Sequence, residues 1–173
     1  MRLWHKELIP YLPRKLLIAQ WRECCAICSN IANKGTPNHL LVNKILKYPF
    51  EHFLEYTRLV IYCLREKGYK TSEISRRNFV NNFNKFSTYK DYTKNTFGSW
   101  IFENWHNERY LKQCLFNLQE KYDCSGIPEN EWKKIEEKFG EYLKSNSELE
   151  KEVEDLREYK MEHQGLYRDP MSW

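Results

Sequence analysis

The longest apolar period in the chain runs from Leu12 to about Ala32. Leu17, Trp21, Cys24, Cys28 and Ile31 recur there at roughly 100° per residue, which predicts one long amphipathic helix. Pro13 suits its first turn, where a missing N–H costs nothing, and Gly35 suits a left-handed C-terminal cap. One feature breaks the pattern: the adjacent charges Arg22 and Glu23 in a largely apolar run. Taking a charge out of water costs on the order of several kcal/mol unless it is compensated. Arg22 points away from the stripe, whereas Glu23 falls at its edge. Two readings are open for Glu23: an edge residue paired with a nearby Arg or Lys, or a functional carboxylate at the lip of an apolar face.

The same periodicity predicts the remaining elements. Residues 1–11 have no regular period and read as an extended arm punctuated by Pro10. Leu40–Tyr48 reads as a short helix stopped by Pro49. Phe50–Lys67 is a strong helix with Phe50, Phe53, Leu54, Val60, Ile61 and Leu64 on one face, and Gly68 closes it. Thr57 is the polar exception on that face, where its hydroxyl can bond back to a backbone carbonyl. Thr71 or Ser72 caps a shorter helix ending near Phe86, with Ile74, Phe79, Val80 and Phe83 as its apolar side. Residues 87–104 read as an irregular loop, long enough to suggest a function. A further helix from about Asn107 to Tyr122 turns Tyr110, Leu111, Cys114, Leu115 and Leu118 inward. Pro128 opens another, with an acidic first turn (Glu129, Glu131) that complements the helix dipole, and with Trp132, Ile135, Phe139 and Leu143 inward. Beyond a weak break at 145–147, Leu149, Val153 and Leu156 continue a stripe in a highly charged segment. The last residues, from Glu162 on, are expected to be poorly ordered. No strand pattern survives. The expected fold class is all-α: a single domain of three main helices, shorter helices and a C-terminal helical extension.

Charge divides the chain. Residues 1–128 hold 20 Lys and Arg against 11 Asp and Glu, a net of +9. Residues 129–173 hold 8 against 13, a net of −5. The division 1–128 and 129–173 is therefore the expected domain boundary. The basic body points to a polyanionic partner, and the acidic segment 129–161 to a protein partner or self-association. No apolar run approaches the roughly 20 residues of a membrane span, and the start has no apolar leader. The expectation is an intracellular, cytoplasmic and nucleoid-associated protein with no membrane contact. The six cysteines agree, since most sit in helices where a thiol acts as a small buried hydrophobe.

Candidate chemistry is sparse. Cys24, Cys25 and Cys28 crowd one helix without the second pair that structural zinc requires, so no metal is expected. There is no phosphate-binding glycine loop, no HExxH and no GxSxG. Trp105-His106-Asn107-Glu108-Arg109-Tyr110 is a polar-aromatic cluster at a helix start, the kind of position that attracts phosphate, with aromatics and Arg suited to unstacked bases. Trp105 itself reads as core. The N-terminus is a reagent in principle: an α-amine has a pKa of about 7.7–8.0 against about 10.4 for lysine, so more of it is neutral and nucleophilic at pH 7.

The stretch Leu16-Leu17-Ile18-Ala19-Gln20-Trp21-Arg22-Glu23 resembles the first-helix motif of the pyrimidine-dimer DNA glycosylases, the phage-type endonuclease V-like enzymes. Gln113–Tyr122 is similar to that family's third helix. Asn38-His39-Leu40 and the segment Cys63–Tyr69 are weaker likenesses. MRLWHKELIP looks like the opening of a bacterial branch assigned to the family. The resemblance spans roughly residues 1–125. It implies an all-α glycosylase and abasic-site lyase with no metal and no cofactor, acting on damaged double-stranded DNA. In that reading the amine of Met1 attacks C1′ and Glu23 assists. Arg2, Arg22, His39, His106, Arg109 and Lys121 are the candidate DNA contacts. Departures are specific: Arg2 should keep Met1 in place, Ala26 stands where the family has a basic residue, Asn117 replaces an arginine, and an acidic segment replaces a basic-aromatic C-terminal strip. The alternative is a non-catalytic nucleic-acid-binding helical module.

Overall fold

The computed structural model describes residues 2–88 and 98–144, together with Glu158. Among the described residues the regular structure is helical throughout: α1 (Arg14–Lys34), α2 (Phe50–Glu66), α3 (Glu73–Phe86), α4 (Glu108–Asp123) and α5 (Glu129–Lys144), with 3-10 helices at Lys6–Tyr11 and Asn43–Lys47. The all-α expectation holds. The fold divides into two compact units, Met1–Cys114 and Leu115–Trp173.

The first unit is organised by α1, which packs against α3 and α2. Its buried face is Leu17, Gln20, Trp21, Cys24, Ile27, Cys28 and Ile31, which matches the expected stripe with one polar addition, Gln20. The helix ends as anticipated: Gly35 takes φ 70° and its N–H returns to the Ile31 carbonyl at 2.9 Å. The thiols on α1 join it to α3, Cys28 Sγ donating to the Phe79 carbonyl at 3.4 Å and Cys25 Sγ lying 3.7 Å from Ser75 Oγ. α2 buries Phe53, Leu54, Tyr56, Val60, Cys63 and Leu64, and Thr57 Oγ1 donates to the Phe53 carbonyl at 2.8 Å, the bond its position predicted. α3 starts at Ser72, whose side chain accepts from Ser75 N.

Three expectations are corrected. The arm is extended only over residues 2–5, because Lys6–Tyr11 forms a 3-10 helix with Pro10 inside it. A 3-10 turn has a period of 3, which an α-helical window does not register. The helix read at Leu40–Tyr48 shrinks to a 3-10 helix at Asn43–Lys47 for the same reason. Ile74 and Val80 do not join the core of α3: they are 71% and 37% exposed while Phe79 and Phe83 are buried. Two large rings suffice to fill the space against α1 and α2, where Phe79 meets Trp21 at 5.8 Å and Phe53 at 5.9 Å. Of the expected loop 87–104, the described part from Gly98 is a series of turns, and 89–97 lie outside the described residues.

The second unit contains the C-terminal half of α4 and α5. Ser125 (φ 60°) and Gly126 reverse the chain, with Gly126 N–H on the Lys121 carbonyl at 2.7 Å. Tyr122 then stacks on Trp132 at 4.9 Å and 10°, and Trp132, Ile135 and Phe139 are buried as the periodicity predicted. The stripe Leu149–Leu156 lies outside the described residues. No described helix is long and apolar enough to cross a membrane.

Gly35 gives a direct test of the α1 terminus. A Cβ there meets nothing within 4 Å, so the only penalty in Gly35→Ala is the left-handed backbone. The variant is expected to lose about 1 kcal/mol, read as a fall of a few degrees in the thermal midpoint.

Candidate functional site

Residues 2–6 cross the first unit without a strand partner. An extended backbone in that position must find hydrogen bonds elsewhere, since a buried unpaired N–H or C=O costs about 1–3 kcal/mol. Side chains from three helices and one turn supply them. Glu23 Oε2 on α1 accepts the Arg2 N–H at 2.9 Å. Gln20 Oε1, one turn earlier on the same helix, accepts the Trp4 N–H at 3.1 Å. Tyr56 Oη on α2 donates to the Trp4 carbonyl at 2.8 Å. Tyr110 Oη on α4 donates to the Leu3 carbonyl at 2.5 Å. His106 Nδ1 accepts the Lys6 N–H at 3.0 Å. The spacing of Gln20 and Glu23 makes this register possible: three residues apart on a helix, they present neighbouring acceptors to two amides of like direction in the arm.

Below the arm lies an aromatic and imidazole cluster. His5 and His106 stack at 5.1 Å, and Tyr110 lies 6.3 Å from His5 and 5.2 Å from His106. Phe102, Trp105 and Tyr56 complete the surround of His106 at 5.1–5.7 Å. Phe102 sits at φ 50° and is fully buried. For a bulky residue that conformation is strained. Packing holds it there: its N–H donates to His52 Nδ1 at 3.0 Å, and its carbonyl receives the N–H groups of Trp105 and His106. The strained turn thereby places His106 under the arm. Lys6 reaches over the same turn, its Nζ donating to the Ser99 carbonyl and, at 2.9 Å, to that of Ile101.

The electrostatics follow burial. Desolvation pushes His106 well below the ordinary histidine value, with the nearby His5 and Lys6 adding to the effect. His5 is lowered for the same first reason. Both Nδ1 atoms act as acceptors, His5 from the Glu7 N–H at 3.3 Å, so each neutral ring carries its proton on Nε2. Burial raises the Tyr56 and Tyr110 hydroxyls, keeping them donors to the arm. Cys24 is pushed up to about 12 by burial, so it is a protonated, packed thiol rather than a ligand or nucleophile. No group of three or more His, Cys, Asp or Glu among the described residues could hold a metal ion.

The candidate residues named from the sequence thus separate. Met1 lies outside the described residues, but Arg2, the residue it is bonded to, is seated on Glu23. Arg2 is half-buried with its guanidinium 5.6 Å from the Trp4 ring. Arg22 and Arg109 are exposed, on α1 and at the start of α4. His39 is half-buried in the turn before the second 3-10 helix. His106 is 4% exposed and spends Nδ1 on the arm, which places it beneath the site rather than on a phosphate-facing surface. Lys121 is exposed in the second unit. Gln20, Tyr56 and Tyr110 are arm-holding residues beyond those candidates. Of these, Gln20 had a signal, a polar residue inside an apolar stripe, whereas the tyrosines pass as ordinary core.

Comparison with known families matches residues 1–82 to the model described as pyrimidine dimer DNA glycosylase. The matched segment includes Gln20, Glu23 and Tyr56 and stops short of His106 and Tyr110. Comparison with curated proteins and with solved structures gives no significant match.

Two outcomes test the arm's seat. Gln20→Leu leaves the Trp4 N–H buried without an acceptor and is expected to cost about 1–3 kcal/mol in urea unfolding, with faster proteolysis at residues 2–6. Acid should loosen the same region. Above about pH 6.5 both histidines are neutral folded or unfolded and contribute no pH dependence. Below it the unfolded chain takes up protons that buried His5 and His106 refuse, so stability falls as the pH drops. A His5→Phe/His106→Phe double variant, in which apolar rings replace the pair, should show a flatter profile between pH 7 and 5 by thermal melting.

Proposed function

With residues 1–82 matching the pyrimidine dimer DNA glycosylases, a family of DNA-repair enzymes, we propose that this chain excises damaged pyrimidines from duplex DNA and then cuts the abasic strand by β-elimination. The observation that carries the reading is the 2.9 Å hydrogen bond from Arg2 N–H to Glu23 Oε2, across 21 positions of sequence. The Arg2 amide is the nitrogen of the Met1–Arg2 peptide bond. Consecutive Cα atoms are 3.80 Å apart across a trans peptide, so the residue that carries the α-amine is one peptide from the carboxylate.

The chemistry needs two groups and no cofactor. The neutral α-amine of Met1 attacks C1′ of the damaged nucleotide. The C1′–N glycosidic bond breaks and the base leaves with one of the two amine protons. The Glu23 carboxylate takes the other and delivers it to O4′ as the C1′–O4′ bond opens, which leaves a Schiff base between Met1 nitrogen and C1′. Glu23, again a carboxylate, then takes a C2′ proton. Elimination of the 3′ phosphate cuts the strand, and water hydrolyses the imine to return the amine. Glu23 performs its steps from a fixed position because Oε2 is held by the arm, and proximity of this kind supplies much of an enzyme's advantage. Exposed Arg22 and Arg109, with Arg2, His39 and Lys121, serve as phosphate or base contacts. His106 is a positioning residue: it holds Lys6, and through it the arm. The acidic segment takes no part in DNA contact, and its residues 129–161 serve a protein partner or self-association.

Borohydride reduction tests the scheme. Wild type mixed with duplex holding an abasic site or a pyrimidine dimer should give a covalent protein–DNA adduct, and blocking the α-amine should abolish it. Glu23→Gln keeps an oxygen to accept the Arg2 N–H and loses only the proton transfers. Its trapping rate should fall by about 10²–10⁴ with little change in thermal midpoint. An undiminished adduct in Glu23→Gln, or none in a wild type with a free N-terminus, refutes the mechanism. Salt-sensitive binding that survives without trapping identifies a binding module instead.

A further inference from the structure

The turn that follows α1 displays its leucines to solvent. Leu40 is 86% exposed, Leu41 55% and Leu46 43%, among the most exposed large apolar side chains described. Single exposed leucines are ordinary, but three within seven residues form a patch. This patch sits on a pinned turn. Gly35 (φ 70°) and Asn38 (φ 59°) both take the left-handed conformation. Asn43 Oδ1 accepts from Thr36 Oγ1 at 3.2 Å and from His39 N–H at 3.3 Å. Thr36 Oγ1 in turn accepts the Asn38 N–H at 3.2 Å. Asn30 Nδ2 fastens the turn to α1 through the Pro37 carbonyl at 3.1 Å. Val42 and Ile45 fill the inside. The leucines are therefore presented by a braced loop.

The charge of the segment itself selects the partner. No Asp or Glu occurs between Glu23 and Glu51, while Lys34, Lys44 and Lys47 lie in that interval and are exposed. Within the 3-10 helix Asn43–Lys47, Lys44 and Lys47 are three residues apart and share one side, just beyond the turn that carries Leu40 and Leu41. An apolar tip flanked by cations fits a polyanion with a stacked apolar interior, which describes duplex DNA. Position agrees. Asn30 lies seven residues after Glu23, about 20° short of two full helical turns, so both occupy the same side of α1 at an axial separation of about 10 Å. That distance is roughly three steps of a 3.4 Å base-pair rise.

We propose that the 38–46 turn is an unstacking wedge. Leu40 and Leu41 enter between base pairs about three steps from the nucleotide held at Glu23, and Lys44 and Lys47 grip the flanking phosphates. Side chains inserted in this way kink duplexes, and a kink lowers the cost of extruding a nucleotide. The proposal rests on the glycosylase reading for its choice of DNA, and a separate readout tests it.

The experiment uses full-length protein and a duplex with a tetrahydrofuran abasic analogue, which cannot form an imine. 2-Aminopurine is placed two, three or four steps to either side. Wild type at saturation should raise the fluorescence several-fold at one of these positions. Leu40→Ala/Leu41→Ala should remove that rise without lowering the thermal midpoint, because both side chains are exposed. Lys44→Gln/Lys47→Gln should keep the rise at saturating protein and reduce the slope of log affinity against log salt by about two. On substrates with a true abasic site, the leucine variant should lose on the order of tenfold more trapping on duplex than on a single strand, which has no stack to open. No fluorescence rise with wild type, or an equal rise with the leucine variant, overturns the wedge whatever the trapping result. A rise lost in the leucine variant, together with no trapping by wild type, supports the wedge and refutes the lyase. Loss of self-association in the leucine variant with the fluorescence response intact assigns the patch to an interface between copies and overturns the wedge.

Discussion

The first unit depends on how an extended arm satisfies its backbone. Residues 2–6 run through a helical body where no neighbouring strand can pair with them. Glu23, Gln20, Tyr56, Tyr110 and His106 take the place of a strand, each contributing one hydrogen bond to one backbone group. This substitution is demanding because each side chain must arrive at its own height along the arm. It also ties the arm to three helices and a turn, so the arm's register and the packing of the unit are set together. The strained Phe102 and the stacked histidines follow from that demand: both keep His106 where the Lys6 amide needs an acceptor.

The same bonds give Glu23 a structural role, to which the proposed scheme adds a catalytic one. A carboxylate at the margin of a core is commonly balanced by a cation, but here its structural partner is a peptide N–H. In the proposed scheme, the arm anchored at Arg2 brings the α-amine of Met1 to this carboxylate. A functional amine at a chain end needs such an anchor, because termini otherwise fray. Catalytic proximity, in the proposed scheme, is thus a by-product of solving the backbone problem.

The departures from the resembled pattern bear on specificity for the dimer more than on DNA binding or lyase chemistry. Ala26 is exposed on α1 where a basic residue is expected, and Asn117 lies in the second unit in place of an arginine. The acid-free interval from residue 24 to 50, with its three lysines and braced leucines, offers a different footing on the same side of α1 as Glu23. In the proposed scheme, grip moves from arginines near the carboxylate to a turn two helical turns away.

By itself the sequence determined the helices, their caps and much of the core. Period, proline and glycine act locally, so α1 with Gly35, α2 with Thr57 bonded back to Phe53, and α5 with its buried Trp132 were legible residue by residue. It also singled out Glu23 as a charge at the edge of an apolar stripe. It did not show that the arm becomes a 3-10 helix after residue 5, that Ile74 stays in water, or that His106 faces inward. Those outcomes depend on which surfaces meet. Only the tertiary structure decided that the carboxylate of residue 23 bonds the amide of residue 2, and that tyrosines 56 and 110 hold the carbonyls between them. A hydrogen bond joining residues 107 apart has no signature in local periodicity, because the packing of helices brings its partners together.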